Sequence, residues 1–319
     1  MVLANLHTGT ALEPECKTFR FLADIFNDVA MVLDCLSPAF PKFPRVFVLG
    51  GSSILRALCG VAAGSSKASL SAHFARAHNL AELNAKDSSQ ETVISLLGMA
   101  AGSVVVTWVT TPFATWSALI LLLAVHLGMN HAAVRAVTMC TLNRQRATIV
   151  FSHLVAYDTV LDPRQVSVKE RIFERDGVIR DAQDKILGRC RIGVSLSRSF
   201  EGSTGTTTTG QSILCPVNEI VDLFSLFEKE KYVLRTMGHP ANITHILLKN
   251  GCGPRDQLKA WCTAILAFHA TRSGQRGDSK REMSDSLWTV IEQKLSDAGW
   301  DLDTGALETR PGLRVSVAV

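Results

Sequence analysis

Residues 92–134 contain no Asp, Glu, Lys or Arg, a run matching about two membrane-spanning helices of roughly 20 residues each. Pro112 divides it into apolar stretches 93–111 and 113–129, so the pattern predicts a helical hairpin turning at Thr110-Thr-Pro-Phe113. Trp108 and Trp116 flank that turn, where amphipathic rings often mark an interface. Lys67, Arg76 and Lys86 precede the run, and Arg135, Arg144 and Arg146 follow it. By the positive-inside tendency, the hairpin tip points away from the cytosol or its equivalent. The competing reading is a hairpin buried in a large soluble helical domain.

Residues 19–36 place Phe21, Leu22, Ile25, Phe26, Val29, Val32, Leu33 and Leu36 on one helical face, with Asp24, Asn27, Asp28 and Asp34 away from it. Ser37-Pro38 stops the helix. An acidic face suits anionic lipid poorly and packing on neighbouring helices better. Residues 46–63 are apolar but interrupted by Arg56, so this segment is either packed within a bundle or only partly inserted.

Between these runs lies a polar block. If one helix continues from Leu55 to about Lys86, then Gly60, Gly64, Lys67, Ser71, Ala75, Asn79, Glu82 and Lys86 share a narrow stripe. Asp87 or Ser88 would cap the next helix, Ser88 with Glu91 having capping-box form. Gly60/Gly64 and Gly98/Gly102 each have the spacing that lets two helices approach backbone to backbone. Two readings of the block stand side by side. In one, Lys67, His73, Asn79, Glu82, Lys86, Asp87, Gln90 and Glu91 line a polar cavity for an anion, a proton or a small metabolite. In the other they are cap, salt bridge and solvated turn. A lysine beside acids is a weak signal for Schiff-base chemistry.

After Asp176-Gly177 the texture changes. Strand patterns at 190–196, 232–237 and 243–248 alternate with helix patterns at 217–228, 257–271 and 285–298, and 313–319 reads as a final strand. The stretches at about 197–212 and 272–283 read as linkers. The pattern predicts an α-helical membrane-type bundle followed by a smaller α+β domain on the soluble side. Its divisions are an irregular N-terminus (1–17), the helical domain (18–150), a connecting helix or linker (151–189) and the α+β domain (190–319).

Composition narrows the classes. Apolar residues make up 47% and charged residues 19% of the 319, on the greasy side of soluble proteins. The 33 basic residues are nearly balanced by 29 acidic ones, and no aromatic-basic stripe occurs, which argues against a nucleic-acid partner. The eight cysteines include no Cys-x-x-Cys pair and no zinc spacing, so reduced thiols in an intracellular compartment are expected and no metal site. The first residues carry neither a basic n-region nor an Arg-rich amphipathic pattern, so no signal or transit peptide is read there. Gly205 to Ser212 has Walker A spacing, but Gln211 stands where the phosphate-reaching lysine belongs. Asn242-Ile-Thr244 fits a glycosylation acceptor by chance, and Cys252, Cys262 and His269 read as core.

Four strings carry a family resemblance: Phe21-Leu-Ala-Asp-Ile-Phe-Asn-Asp-Val-Ala-Met-Val-Leu33, Ala63-Gly-Ser-Ser-Lys-Ala-Ser-Leu70, Asn79-Leu-Ala-Glu-Leu-Asn-Ala-Lys-Asp-Ser-Ser-Gln-Glu-Thr92 and Asn130-His-Ala-Ala-Val-Arg-Ala-Val137. They closely resemble the root UV-B sensitive family over about residues 18–165, and more weakly around Asp297-Ala-Gly-Trp300. The resemblance implies a membrane or organelle protein, with plant members linked to UV-B response, auxin transport and vitamin B6 homeostasis. It supplies no enzyme activity, catalytic residues or cofactor. Relatives usually carry a longer N-terminal segment, including a cousin of the region 60–98; its absence here is read as a truncated gene model or a partial protein or, if real, as the loss of half of a pseudo-repeat. Paired repeats around a polar site are a transporter-like arrangement, by analogy only.

The expected function is therefore a multi-pass intracellular membrane protein, non-enzymatic, in metabolite handling, trafficking or signalling. Its expected partners are the lipid bilayer, a small metabolite, and a protein partner or second copy. The alternatives are a soluble or peripheral adaptor working through the C-terminal domain and, further off, an enzyme of vitamin B6 metabolism.

Overall fold

A computed structural model describes residues 15–75, 79–200, 217–237, 242–272, 283–308 and 313–316. They fall into two compact units, one of residues 15–137 and one from residue 138 onward.

The first unit is helical. Helix α1 (Cys16–Leu36) ends in a single 3-10 turn, Ser37–Ala39, that Pro38 opens. Helices α2 (Lys42–Phe74), α3 (Leu80–Trp108) and α4 (Pro112–Ala136) follow. These three are long and apolar enough to cross a membrane. Small Ala23 and Ala30 are fully buried on α1, so α2 comes close, and buried Ser52 donates to the Ala30 carbonyl at 3.1 Å. Arg56 pairs with Asp34, which answers the charge that interrupts residues 46–63. The acidic face of α1 packs inward as its sequence suggests. Asp28 lies buried, 3.0 Å from His126 Nδ1 of α4, while Val29 is exposed. The rings of Phe21 and His131 meet edge-on at 5.5 Å, a second tie between α1 and α4.

The hairpin turn falls where the sequence puts it. Thr111 caps α4, its hydroxyl accepting from Ala114 N at 3.2 Å, and Pro112 takes the first helical position, where no N–H is needed.

The single helix over residues 55–86 is corrected. Helix α2 stops at Phe74, Ala75 is extended, and α3 starts at Leu80. Asp87 and Ser88 lie inside α3, and the Ser88/Glu91 capping box does not form. The hydroxyls here bond back along the helix instead, Ser89 to the Ala85 carbonyl (2.8 Å) and Thr92 to that of Ser88 (2.9 Å). This satisfies them without ending it.

The second unit wraps helices around one sheet. Helix α5 (Arg144–Tyr157) is capped by Asn143, whose side chain accepts from Arg146 N at 2.9 Å. Helix α6 (Pro163–Lys169) has a full capping box between Asp162 and Gln165. Strands β1 (Val178–Arg180) and β2 (Ile186–Ile192) form an antiparallel hairpin. The sheet-containing region therefore begins before residue 190, inside what the sequence suggests is a connector. Short helices α7 (Leu196–Phe200) and α8 (Val217–Leu226) precede β3 (Tyr232–Met237) and β4 (Ile243–Lys249). Helices α9 (Pro254–Arg272) and α10 (Asp285–Asp297) and strand β5 (Arg314–Val315) complete it.

The strand order is β1-β2-β4-β3, with β5 also beside β4. Strand β4 runs parallel to β2 and β5 and antiparallel to β3. Its burial suits a central strand, Thr244 to Leu248 all being buried. Of Asn242-Ile-Thr244, only Thr244 is buried; Asn242 and Ile243 are partly exposed. One face of the sheet meets α9 and α5 around Tyr232, Ile246, Leu248, Trp261 and Phe151. Gly188 has no room for a side chain, since a Cβ there would lie 2.4 Å from the Asn242 carbonyl oxygen. Cys262 is buried and Cys252 packs at the core edge, as expected of structural thiols. The Walker-like string 205–212, the linker beyond residue 200 and most of that at 272–283 lie outside the described residues.

Candidate functional site

The polar block is divided by the break at residues 75–79. Lys67, near the end of α2, reaches across to α3 and holds Asp87 (2.8 Å) and Glu91 (2.7 Å). These acids are four apart, so α3 presents both on one face. Glu82 and Lys86 pair within α3 at 2.6 Å, both well exposed. Asn79 occupies the N-cap position without a side-chain cap bond, Gln90 is exposed, and His73 stands edge-on to Phe74 with ring centroids 5.0 Å apart. The fold thus gathers Lys67, Asp87 and Glu91 into one cluster and leaves the other five outside it. Every described residue of the block from Asn79 to Glu91 is at the surface apart from half-buried Leu83. Exposed pairs of this kind contribute a few tenths of a kcal/mol each.

The four glycines do not bring helices of this chain together. A Cβ built on Gly60, Gly64, Gly98 or Gly102 meets nothing within 4 Å. The spacing is present, but α3 contributes no buried residue to the unit.

A concavity in the second unit was passed over by sequence reasoning. A cleft of about 420 Å³ in the second unit lies between α5, the segment after α6 and the β1–β2 turn, a size at the small end of ligand pockets. Gln145, Thr148 and His153 of α5 line one side, and Arg171, Glu174, Arg180 and Asp184 another. Arg180 grips Glu174 through two bonds, 2.7 and 3.2 Å. Partial burial alone would raise the Glu174 carboxyl, but Arg180 and the Arg175 N–H outweigh it and hold it below the usual range. Asp181 behaves alike. Burial opposes its charge, while the Lys185 and Gln183 backbone N–H groups and Arg272 (2.5 Å) favour it, and the net shift is downward. The same two backbone bonds fold residues 181–185 into the turn that walls the cleft. Most of its charges are paired: Arg171 with Asp184, Arg180 with Glu174 and Asp181 with Arg272. The signal in the sequence was the alternation of Arg171, Glu174, Arg180 and Asp184, within a stretch read as linker. Among the described residues no group of three or more His, Cys, Asp or Glu side chains is placed to hold a metal ion.

Residues 1–158 match the vitamin B6 photo-protection and homoeostasis domain. The chain is 30% identical over 303 residues to Protein root UVB sensitive 3 of Arabidopsis thaliana, covering 94% of this chain and 66% of that one. It is 35% identical over 171 residues to RUS family member 1 of Dictyostelium discoideum, covering 52% and 32% respectively. To Protein root UVB sensitive 2, chloroplastic, of Arabidopsis thaliana it is 23% identical over 312 residues, covering 95% and 65%. The chain spans about two thirds or less of these relatives' lengths. No solved structure matches it.

Proposed function

The chain belongs to the root UVB sensitive family, and from that premise we propose that it is a membrane-associated, non-enzymatic protein serving vitamin B6 homoeostasis by handling or trafficking a metabolite. One observation carries the membrane part. Helices α3 and α4 leave their large apolar side chains uncovered, among them Ile94 (68% exposed), Val106 (71%) and Leu121 (65%). In water such faces are costly at about 25 cal/mol per Å² of apolar surface, and they mark an interaction or membrane surface. A 29-residue helix such as α3 runs about 44 Å, more than the roughly 30 Å of bilayer hydrocarbon. Helix α1 adds support, with its carboxylates inward and part of its apolar face outward, the arrangement a bilayer favours.

Within this reading the polar block is the region assigned to metabolite or partner contact in the helical unit, with Lys67, Asp87 and Glu91 closing α2 onto α3. Gly60, Gly64, Gly98 and Gly102 are free to meet a helix from another chain. The second reading, a soluble or peripheral adaptor, draws on the separate core and cleft of the second unit. Alkaline carbonate extraction of membranes from cells expressing the chain separates the two. Retention in the pellet is expected, and release into the supernatant would overturn the membrane reading.

A further inference from the structure

The sheet face away from Trp261 carries a row of basic side chains. The register sets His245 of β4 directly beside Arg191 of β2 and Arg235 of β3, so two guanidinium groups flank one imidazole on the same face. Arg198 of α7 adds its field at His245. The one acid placed against them among the described contacts is Glu219 of α8, 3.3 Å from Arg235. Arg235 is otherwise committed, stacked 3.9 Å over the Phe200 ring and donating to the Ser199 carbonyl. Arg191 and Arg198 are exposed, and among the described residues their guanidinium groups have no partner.

Beneath this charge lie polar atoms left without a full hydrogen bond. His245 is 4% exposed with only the Ser199 backbone set against its ring and no full hydrogen bond at either nitrogen, and Ser199 is fully buried with its hydroxyl unanswered. An ordinary core histidine satisfies at least one nitrogen, since a buried orphan gives up its water hydrogen bonds without replacement. An excess of positive charge and two orphan donors at one place call for the same thing, a bound anion. We propose that this face of the sheet binds a phosphate-class dianion. Arg191 and Arg198 hold its outer oxygens by the bidentate geometry guanidinium groups favour. The Ser199 hydroxyl and one His245 N–H donate to an inner oxygen. The site shares no residue with the polar block or the cleft, so its failure would leave the membrane reading untouched.

The test is calorimetric titration of the solubilised full chain with inorganic phosphate and with a short-chain, water-soluble phosphatidate. Saturable binding of at least one probe is expected, weakened tenfold or more in Arg191→Ala/Arg198→Ala. Both positions are exposed, so this variant does not depend on the core refolding. Arg164→Ala, an exposed arginine elsewhere, should bind as the parent does. Phosphate binding as tightly as phosphatidate supports the site with a soluble phosphate ester as ligand; a tenfold preference for phosphatidate supports it with a lipid headgroup. No saturable binding of either probe at millimolar concentration, or equal weakening by Arg164→Ala, would overturn the proposal.

Discussion

Trp261 and Thr148 are joined by a buried hydrogen bond, the indole Nε1 donating to the threonine hydroxyl at 3.1 Å. Thr148 lies within the stretch matched by the family domain, and Trp261 lies 113 residues further along. The bond places α5 in the core of the second unit, so the match at residues 1–158 ends inside a folded unit. Thr148→Val would strand the indole N–H at a fully buried site. The expected loss is about 1–3 kcal/mol, read by denaturant unfolding, with Ser at the same position restoring most of it. An unchanged midpoint for the Val variant would mean the bond contributes nothing.

Charge placed on the bare helices distinguishes lipid from water. Leu97 and Leu122 are well exposed, so in a soluble protein Leu97→Lys or Leu122→Lys should be nearly neutral. In a bilayer each costs about 2.5–3.5 kcal/mol near the centre of a span. Loss of membrane retention and of accumulation is expected in both variants, and normal levels of a soluble species would contradict it.

The Lys67 cluster should be weak in stability. Lys67→Ala removes two half-exposed ion pairs, a loss of under about 1 kcal/mol. A double-mutant cycle with Glu91→Ala should return a coupling of a few tenths of a kcal/mol. If the polar block serves function, vitamin B6 levels in complemented cells fall by more than this small loss explains. Wild-type levels with Lys67→Ala, Glu82→Ala and Lys86→Ala combined would remove the block from consideration.

Acid should weaken the second unit in two stages. Burial, then the fields of Arg191, Arg235 and Arg198, push His245 down from 6.5 to about 4. The unfolded chain therefore takes up a proton that the folded one refuses as pH falls from about 6.5 to about 4. Stability drops across that window, by about 3 kcal/mol at most. Below it Glu174 and Asp181, held low in the fold, lose their stabilisation as they protonate. His245→Asn should flatten the loss between pH 6.5 and 4.5 in thermal unfolding, whereas a slope equal to wild type would place the titration elsewhere.

Much of this architecture is legible in the residues. The turn at Thr111-Pro112 and the inward acidic face of α1 follow from proline chemistry and helical period, and the strands at 232–237 and 243–249 follow from their apolar runs. What escaped was set by tertiary context. Nothing between Phe74 and Asn79 is Gly or Pro, so the α2–α3 break has no local marker. Asp87 and Ser88 look like caps only until the helix carries them through. The glycine pairs describe a capacity for close approach without naming the partner. The cleft depends on the fold of residues 181–185, a five-residue turn without regular periodicity, and the row at His245 on register between strands 54 positions apart.

Strand β4 sets a timetable for the chain. Helices α1 and α2 are neighbours in sequence and α4 returns to α1 from about a hundred residues on, yet all four emerge before any strand does. Strand β4 must instead recover β2 from more than fifty residues earlier and wait for β5, another sixty-six later. Pairings of that reach are slow because loop-closure entropy is lost before contacts repay it. During synthesis the helical unit therefore stands finished while β4, the most buried strand of the sheet, still lacks β5 alongside it. That interval is when this protein is most open to chaperones and most prone to aggregate.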